Sequence, residues 1–499
     1  MSSIHKRAVA DEPVTSVLPG GDVPYDPNHE FNPDEEVLAA LGYKSEFKRE
    51  FSLFTTFCVS FAVLGLLPSF ASTLYYGMGY AGTAVNYGIS AMILAAASIR
   101  DPTYIPTEYQ TFLLTVFIMI LHAIMSSLPT RWLAQINSGG SSFNFIALIV
   151  VIIMIPAGTD REERGLPKFT SSREVWGTIY EGTSFPAGIS VLMSFIGVIW
   201  TMSGYDSAFH LAEECSNANM AAPRAIVLTS GIGGVFGWFL QLVVAYTVVD
   251  IDGVLESDLG QPFAAYLMQC MSEKMTLAIL ALTIIAGFSM GQGCMIAASR
   301  VTFAYARDDC FPFSNVWKQV NKHTQTPVNA VWLNCVVGIA CLLLIFGGEL
   351  AIGALFSIGA IAAFVAFTTP IFIRVFFVGN RFRPGPWNLG KLSLPIGFVA
   401  SAFVILMVPI LCFPSVTGAD LTVDVMNWTA VVYGGPMILV IIWWFVSAHK
   451  WFKGPKVNIA HMMHGEEQQI LEGQTVQKTS SVGSGDVPEK LQKVASPSA

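Results

Sequence analysis

The polar residues that could do chemistry inside this chain are few and clustered. The segment SFIGVIWTMSGYDSAFHLAEE (194–214) carries Ser203-Gly204 within an apolar run, and Asp206, His210, Glu213 and Glu214 follow at once. A second apolar run, FCVSFAVLGLLPSFASTL (57–74), holds Gly65 and Pro68. Pro has no N–H to give to a helix ladder, and Gly lets the ladder open. Backbone groups freed inside an apolar medium are tolerated only where they line a cavity, and there they bind ions and zwitterions. The chemistry implied is recognition rather than bond making. No HExxH, GxSxG or P-loop motif occurs, so zinc hydrolysis, acyl-enzyme chemistry and an ATP-driven pump have no support. No catalytic set, no metal-ligating set and no cofactor are expected.

Other features carry less. His122 stands alone in an apolar run, where a packed, hydrogen-bonded histidine is the first reading and a proton relay the second. Gly287 and Gly291 form a GxxxG pair suited to close helix packing. HMMH (461–464) sits in a polar tail, and the sequon Asn427-Trp428-Thr429 abuts the last apolar run. Eight cysteines lie mostly in apolar runs with no CxxC pair, which reads as reduced, buried thiols.

The elements that must position these residues are membrane helices. Of 499 residues, 53% are apolar and only 12% charged, about half the usual quarter, and the mean hydropathy is +0.56. This excludes a soluble enzyme, a disordered chain and a nucleic-acid binder, the last also because the net charge is −8 with no basic block. Charge-free runs are 51–99, 109–130, 132–159, 182–205, 225–249, 275–299, 323–348, 350–373, 392–419 and 425–449. Each but the first is sized for one span of about 20 residues. The first divides into one long span, 51–80, and a 15-residue stub, 85–99, too short for a full crossing and expected to be re-entrant or interfacial. The division is a cytosolic polar N-terminal tail (1–49), a transmembrane part (50–450) with ten full spans plus the stub, and a disordered C-terminal tail (451–499). A short helix is expected around 34–47.

Lys and Arg set the orientation. With the N-terminus inside and 85–99 not crossing, the inner loops hold 16 Lys and Arg, among them Arg49, Arg131, Arg224, Arg300, Arg307, Arg374 and Lys450. The outer loops hold 6: Arg100, Arg161, Arg164, Lys168, Arg173 and Lys274. Both termini are therefore expected in the cytosol.

The segment GYDSAFHLAEECSNANMAAPRAI (204–226) resembles the signature of the amino acid–polyamine–organocation superfamily. ASRVTFAYARDDCFPF (298–313) is similar to the segment after that family's eighth span. LGYKSEFKREFSLF (41–54), LPSFASTLYYGMGYAG (67–82), GALFSIGAIAAFVAFTTPIFIRV (353–375) and RPGPWNLGKLS (383–393) resemble its fungal amino acid/choline transporter branch, which includes GABA and choline permeases. The resemblance runs over 41–456. It implies an all-α polytopic membrane protein with a leucine-transporter-like fold, five helices repeated with inverted topology. It also implies a secondary transporter for amino acids, GABA or choline-like amines, proton-coupled, in the plasma membrane rather than the vacuolar one.

The resemblance places substrate between broken helices one and six. The matching positions are Ser60, Gly65 and Ser69 on the first, and Trp200, Thr201, Ser203, Gly204 and Tyr205 on the second. Trp200 and Tyr205 would face an ammonium through cation–π contact. Asp206, Glu213 and Glu214 are expected on the cytosolic side as gate groups, pairing with Arg224 or Arg300. Ser289 and Gln292 are the polar candidates on helix eight. Family members have twelve spans, and this chain offers ten. The shortfall falls between Ala84 and Val85, where the second helix and most of the third are expected to be missing. A loss of two spans keeps parity with the charge count. It also predicts a site open to lipid and poor transport or none, which leaves a shortened, non-transporting permease or an amine sensor as the alternative reading.

Overall fold

The computed structural model describes residues 49, 51–78, 85–180, 182–347, 349–382 and 384–452. The expected helix at 34–47, the two tails and HMMH lie outside the described residues. The chain is helical throughout them, the one strand-like contact being an isolated parallel bridge between Phe51 and Cys215.

The first long run is two helices, α1 (Leu53–Leu64) and α2 (Leu66–Met78). Ser52 caps α1 by accepting from the Thr55 N–H, and Gly65 ends it in the left-handed region at φ 43°. The break belongs to Gly65 alone. Pro68 is the third residue of α2, within the first turn, where a missing N–H leaves no ladder bond unmade. The stub forms α3 (Val85–Arg100), a helix of 16 residues and about 24 Å, short of the roughly 30 Å of a hydrocarbon core. It is packed inside the bundle with Gly88, Ser90 and Ala95 buried.

Long helices follow: α4 (Glu108–Ser126), opened by a Thr107/Gln110 capping box, and α5 (Thr130–Gly158). The run expected as one full span at 182–205 is instead α6 (Ala187–Thr201), of 15 residues, then an irregular stretch and α7 (Ser207–His210). Next come α8 (Ala218–Thr247), α9 (Pro262–Cys270) and α10 (Glu273–Arg307). The last elements are α11 (Val328–Leu342), α12 (Glu349–Ile373), α13 (Ser393–Ile410) and α14 (Thr429–Trp443). Among the described residues nine helices are long and apolar enough to cross a membrane, and two shorter apolar ones are α3 and α6. The expected ten full spans thus resolve into nine plus a broken one, because Gly204 interrupts the run.

The 35-residue α10 is the post of the bundle and packs on α1, α2, α3, α4, α5 and α11. α1 lies against α5 and α8, whereas α2 lies against α6 and α9. The two halves of the first broken helix therefore belong to different neighbourhoods. α12, α13 and α14 pack together and meet the rest chiefly through α6. Their outer faces are exposed and apolar, as lipid contact requires. Arg100 and Glu273 pair at 3.1 Å, so the end of α3 and the start of α10 share one end of the bundle, as the charge count placed them.

Candidate functional site

The two breaks lie against each other. Gly204 has φ +98°, and a Cβ there would sit 2.9 Å from the carbonyl carbon and oxygen of Val63. Only glycine fits both the conformation and the space. Ser60 Oγ donates to the Tyr205 carbonyl at 2.8 Å, tying α1 to the opened stretch beyond α6. On the other side of the first break, Ser69 Oγ donates to the Leu64 carbonyl at 2.9 Å and lies 3.4 Å from Met290 Sδ. Met290 also fills the space over Gly65, where a Cβ would meet its Sδ at 2.4 Å. Thr73 and Thr201 join the two outer halves at 3.0 Å between hydroxyls, and Ser203 Oγ donates to the Ile199 carbonyl at 3.0 Å.

Seven of the eight residues read from the sequence as a substrate site thus surround one junction: Ser60, Gly65, Ser69, Thr201, Ser203, Gly204 and Tyr205. Trp200 stands apart, its ring against Gly359 of α12. The Tyr205 ring is half-buried near Phe367, 6.4 Å between centroids. Val63, Thr73 and Met290 complete the junction, and no motif announced them. Chemically, the junction offers opened backbone, hydroxyls and a thioether, with Asp206 as its nearest carboxylate along the chain.

Ion pairs lie farther along α10. Arg300 Nε donates to Glu214 Oε1 at 2.7 Å, with side chains 4% and 1% exposed, and its Nη1 donates to Ser299 Oγ. Arg307 pairs with Glu213 at 2.5 Å, and His210 meets Asp206 at 3.0 Å one turn apart. Arg300 is the partner of Glu214, as read. Arg224 is exposed on α8 and pairs with no carboxylate among the described residues, because α8 turns it outward. The chain before α1 is fastened here too: the Phe51 N–H donates to the Glu214 carbonyl at 3.0 Å, and the Ser216 N–H donates to the Phe51 carbonyl at 2.8 Å. Thr56 Oγ1 and Cys215 Sγ are 3.1 Å apart.

Two residues read as helix-eight contacts point elsewhere. Gln292 Nε2 donates to Ser126 of α4, and Ser289 faces Gly140 of α5. Asn427 of the sequon spends its amide on the Leu411 and Phe413 carbonyls. Among the described residues no group of three or more His, Cys, Asp or Glu could hold a metal ion.

Comparison with known proteins agrees with this architecture. An uncharacterized amino-acid permease of Schizosaccharomyces pombe is 49% identical over 519 aligned positions, covering 90% of this chain and 95% of the relative. A candidate polyamine transporter of Candida albicans is 42% identical over 547 positions, covering 94% and 99%. An amino-acid permease of Arabidopsis thaliana is 25% identical over 502 positions, covering 85% and 96%. The first alignment is longer than the chain itself: 90% of 499 residues is about 450, so about 70 of its 519 positions have no residue here. By the same arithmetic about 80 of the 547 have none. The model of the amino acid permease family matches residues 50–446, nearly all of the described bundle, and the chain belongs to that family.

Proposed function

We propose that this protein is built as a secondary transporter of small organic amines. The class spans amino acids, GABA- and choline-like amines, and the polyamines named for the Candida relative. The observation that carries the reading is the approach of two helix breaks: Gly204 lies against Val63, two residues before Gly65, and a buried Glu214–Arg300 pair lies about 15 Å farther along α10. In this scheme the breaks bind substrate at mid-membrane. The Glu214–Arg300 pair closes the cytosolic path, and alternating access opens one end at a time. The charge bias supports a cytosolic position for that end and for both termini. Plasma-membrane residence and coupling to protons belong to the same proposal. The test is tracer counterflow in proteoliposomes with labelled putrescine, GABA, choline and a panel of amino acids. Saturable exchange of at least one supports the reading, and exchange of none sinks it for this chain. Collapse of gradient-driven uptake by a protonophore supports proton coupling, and indifference to it counts against.

A second reading is favoured by the aligned positions that have no residue here. About 70 residues make two spans with their loops. We assign the gap to Ala84–Val85, because α3 begins there and, at about 24 Å, falls short of a full span. The absent spans would wall the junction and move with α1. The chain as written is then expected to transport poorly or not at all. Sequencing the transcript across the codons for Thr83 to Val85 decides between a longer product that transports and a shortened one that does not.

A further inference from the structure

The Lys- and Arg-rich end of the bundle is balanced in one place and not in another. Arg300 and Arg307 pair with Glu214 and Glu213, and Lys318 pairs with Asp309 at 3.2 Å. The stretch 350–419, by contrast, holds Arg374, Arg381, Arg383 and Lys391 and no Asp or Glu. Arg374 opens the turn Arg374–Val378 that continues α12. Its guanidinium stacks on the Phe382 ring, 3.9 Å from the centroid, and among the described residues its buried Nε has no hydrogen-bond partner. Arg381 and Lys391 are exposed. Like charges gathered in this way repel one another until an anion joins them.

An apolar groove of about 550 Å³ runs beside these charges. Gly397 of α13 lies against Val375 and Ile371, and Phe376 meets Phe398 at 6.0 Å between centroids. The start of α13 therefore sits at the charged end of α12. From this aromatic pair the groove follows α13 through Ala402, Ile405 and Pro409 to Ile410. Gly390–Ile410 is one continuous helical stretch. Lys391, Phe398, Ala402, Ile405 and Pro409 are spaced 7, 4, 3 and 4 residues apart, which is one face of a helix with 3.6 residues per turn. Lys391 thus stands on the groove's own face, about 10 Å before its first ring. Leu389 and Leu392 beside it are exposed, the setting of a lysine held at the edge of the hydrocarbon. From Phe398 to Pro409 the helix rises about 16 Å, close to one leaflet's half of a core about 30 Å thick.

We propose that this groove binds an anionic phospholipid. One acyl chain lies along the face from Phe398 to Pro409, and the phosphate meets Lys391, with Arg374 and Arg381 adding positive field at the same end. Two other occupants fit less well. A second copy of this chain across a two-fold axis would set the same basic patch against itself. A neutral lipid would leave the charge of this stretch uncompensated. Nothing here depends on transport, and only the choice of the cytosolic leaflet rests on the orientation read from the charge bias.

The test uses the full chain in detergent, titrated with phosphatidylserine, with phosphatidylcholine of the same acyl chains, or with inorganic phosphate. Thermal unfolding and native mass spectrometry are the readouts. Phosphatidylserine should raise the Tm by several degrees and persist as one tight adduct, and phosphatidylcholine should do neither. Lys391→Gln should weaken phosphatidylserine binding about fivefold, the worth of one cation near an anionic surface, whereas Lys391→Arg should preserve it. Ala402→Trp fills the groove and should remove the adduct. Lys391 and Ala402 are both exposed, so neither substitution threatens the fold. Lys274→Gln, an exposed cation at the other end, should change nothing. An equal response to the two lipids overturns the site, as does a phosphatidylserine preference that survives Lys391→Gln. A Tm rise that inorganic phosphate reproduces in full overturns the role of the groove. Ala402→Trp that splits a dimer and leaves lipid binding intact would give the groove to a second copy instead.

Discussion

At the residue scale the junction is set by contacts that tolerate no alternative side chain. Gly204 combines a left-handed backbone with a carbonyl 2.9 Å from any added Cβ. Gly204→Ala should therefore cost about 1–3 kcal/mol of strain, read as a lower Tm in detergent. Gly139, within α5, has nothing within 4 Å. Gly139→Ala there should be neutral or stabilising by up to about 1 kcal/mol through helix propensity. Equal effects at both positions would remove the argument. The carboxylates of Glu213 and Glu214 make a second contrast. Glu214 is buried against Arg300, and removing one partner of a buried pair leaves an uncompensated charge, at about 3–5 kcal/mol. Glu213 is 31% exposed, so its pair with Arg307 is worth about 1 kcal/mol or less after solvent screening. Glu214→Gln should destabilise far more than Glu213→Gln in thermal unfolding. Replacing both Glu214 and Arg300 by apolar residues should recover most of the loss.

At the element scale the breaks are what the sequence made legible. Gly65 within one apolar run and Ser203-Gly204 within another announce interrupted helices, and the 85–99 run is too short to span. The partner of Glu214 was legible only as one of two, Arg224 or Arg300, and the structure pairs it with Arg300. What was not legible depends on register between helices far apart in the chain. The contacts of Gly291 on α10 with Asn86 of α3 and His122 of α4 need three axes aligned at once, and no local pattern encodes them. The Phe51 pairing with 214–216 is made by backbone atoms, which carry no sequence signal. That pairing has a mechanical consequence: α1 and the segment after α7 are fastened together and must move as one. Thr56 Oγ1 and Cys215 Sγ are 3.1 Å apart across this seam, so a cysteine at position 56 would bring a thiol next to that of Cys215. Thr56→Cys should form a disulfide with native Cys215 under mild oxidant, lowering the free-thiol count by two and blocking any exchange until reductant is added. A thiol count that oxidant does not change would show that the seam is looser than drawn.

At the scale of the whole molecule the claim with most reach is orientation, because substrate path, gate and coupling direction all follow from it. Helix order and the Arg100–Glu273 contact put the ends of α3, α5 and α8 and the start of α10 at one end of the bundle. The Glu214–Arg300 pair and the loop after α10 are at the other. The positive-inside rule assigns the second end to the cytosol. Gly177, the last residue of a short helix (Ser172–Gly177) before α6, is exposed with open space around it, and Asn315, after α10, is also exposed. Gly177→Cys should react with a membrane-impermeant maleimide on intact cells, whereas Asn315→Cys should react only after permeabilisation, each read against the unsubstituted chain. The pattern reversed would turn the bundle over and place Glu214–Arg300 outside. Both sites reacting on intact cells would mean that α3 and its neighbours do not hold one topology. That outcome would fit the reading in which two spans are missing, since parity alone would then orient the bundle. A single, unmixed pattern would instead show that the nine long apolar helices among the described residues, the α10 post being one of them, suffice to fix the fold in the bilayer, whatever the state of transport.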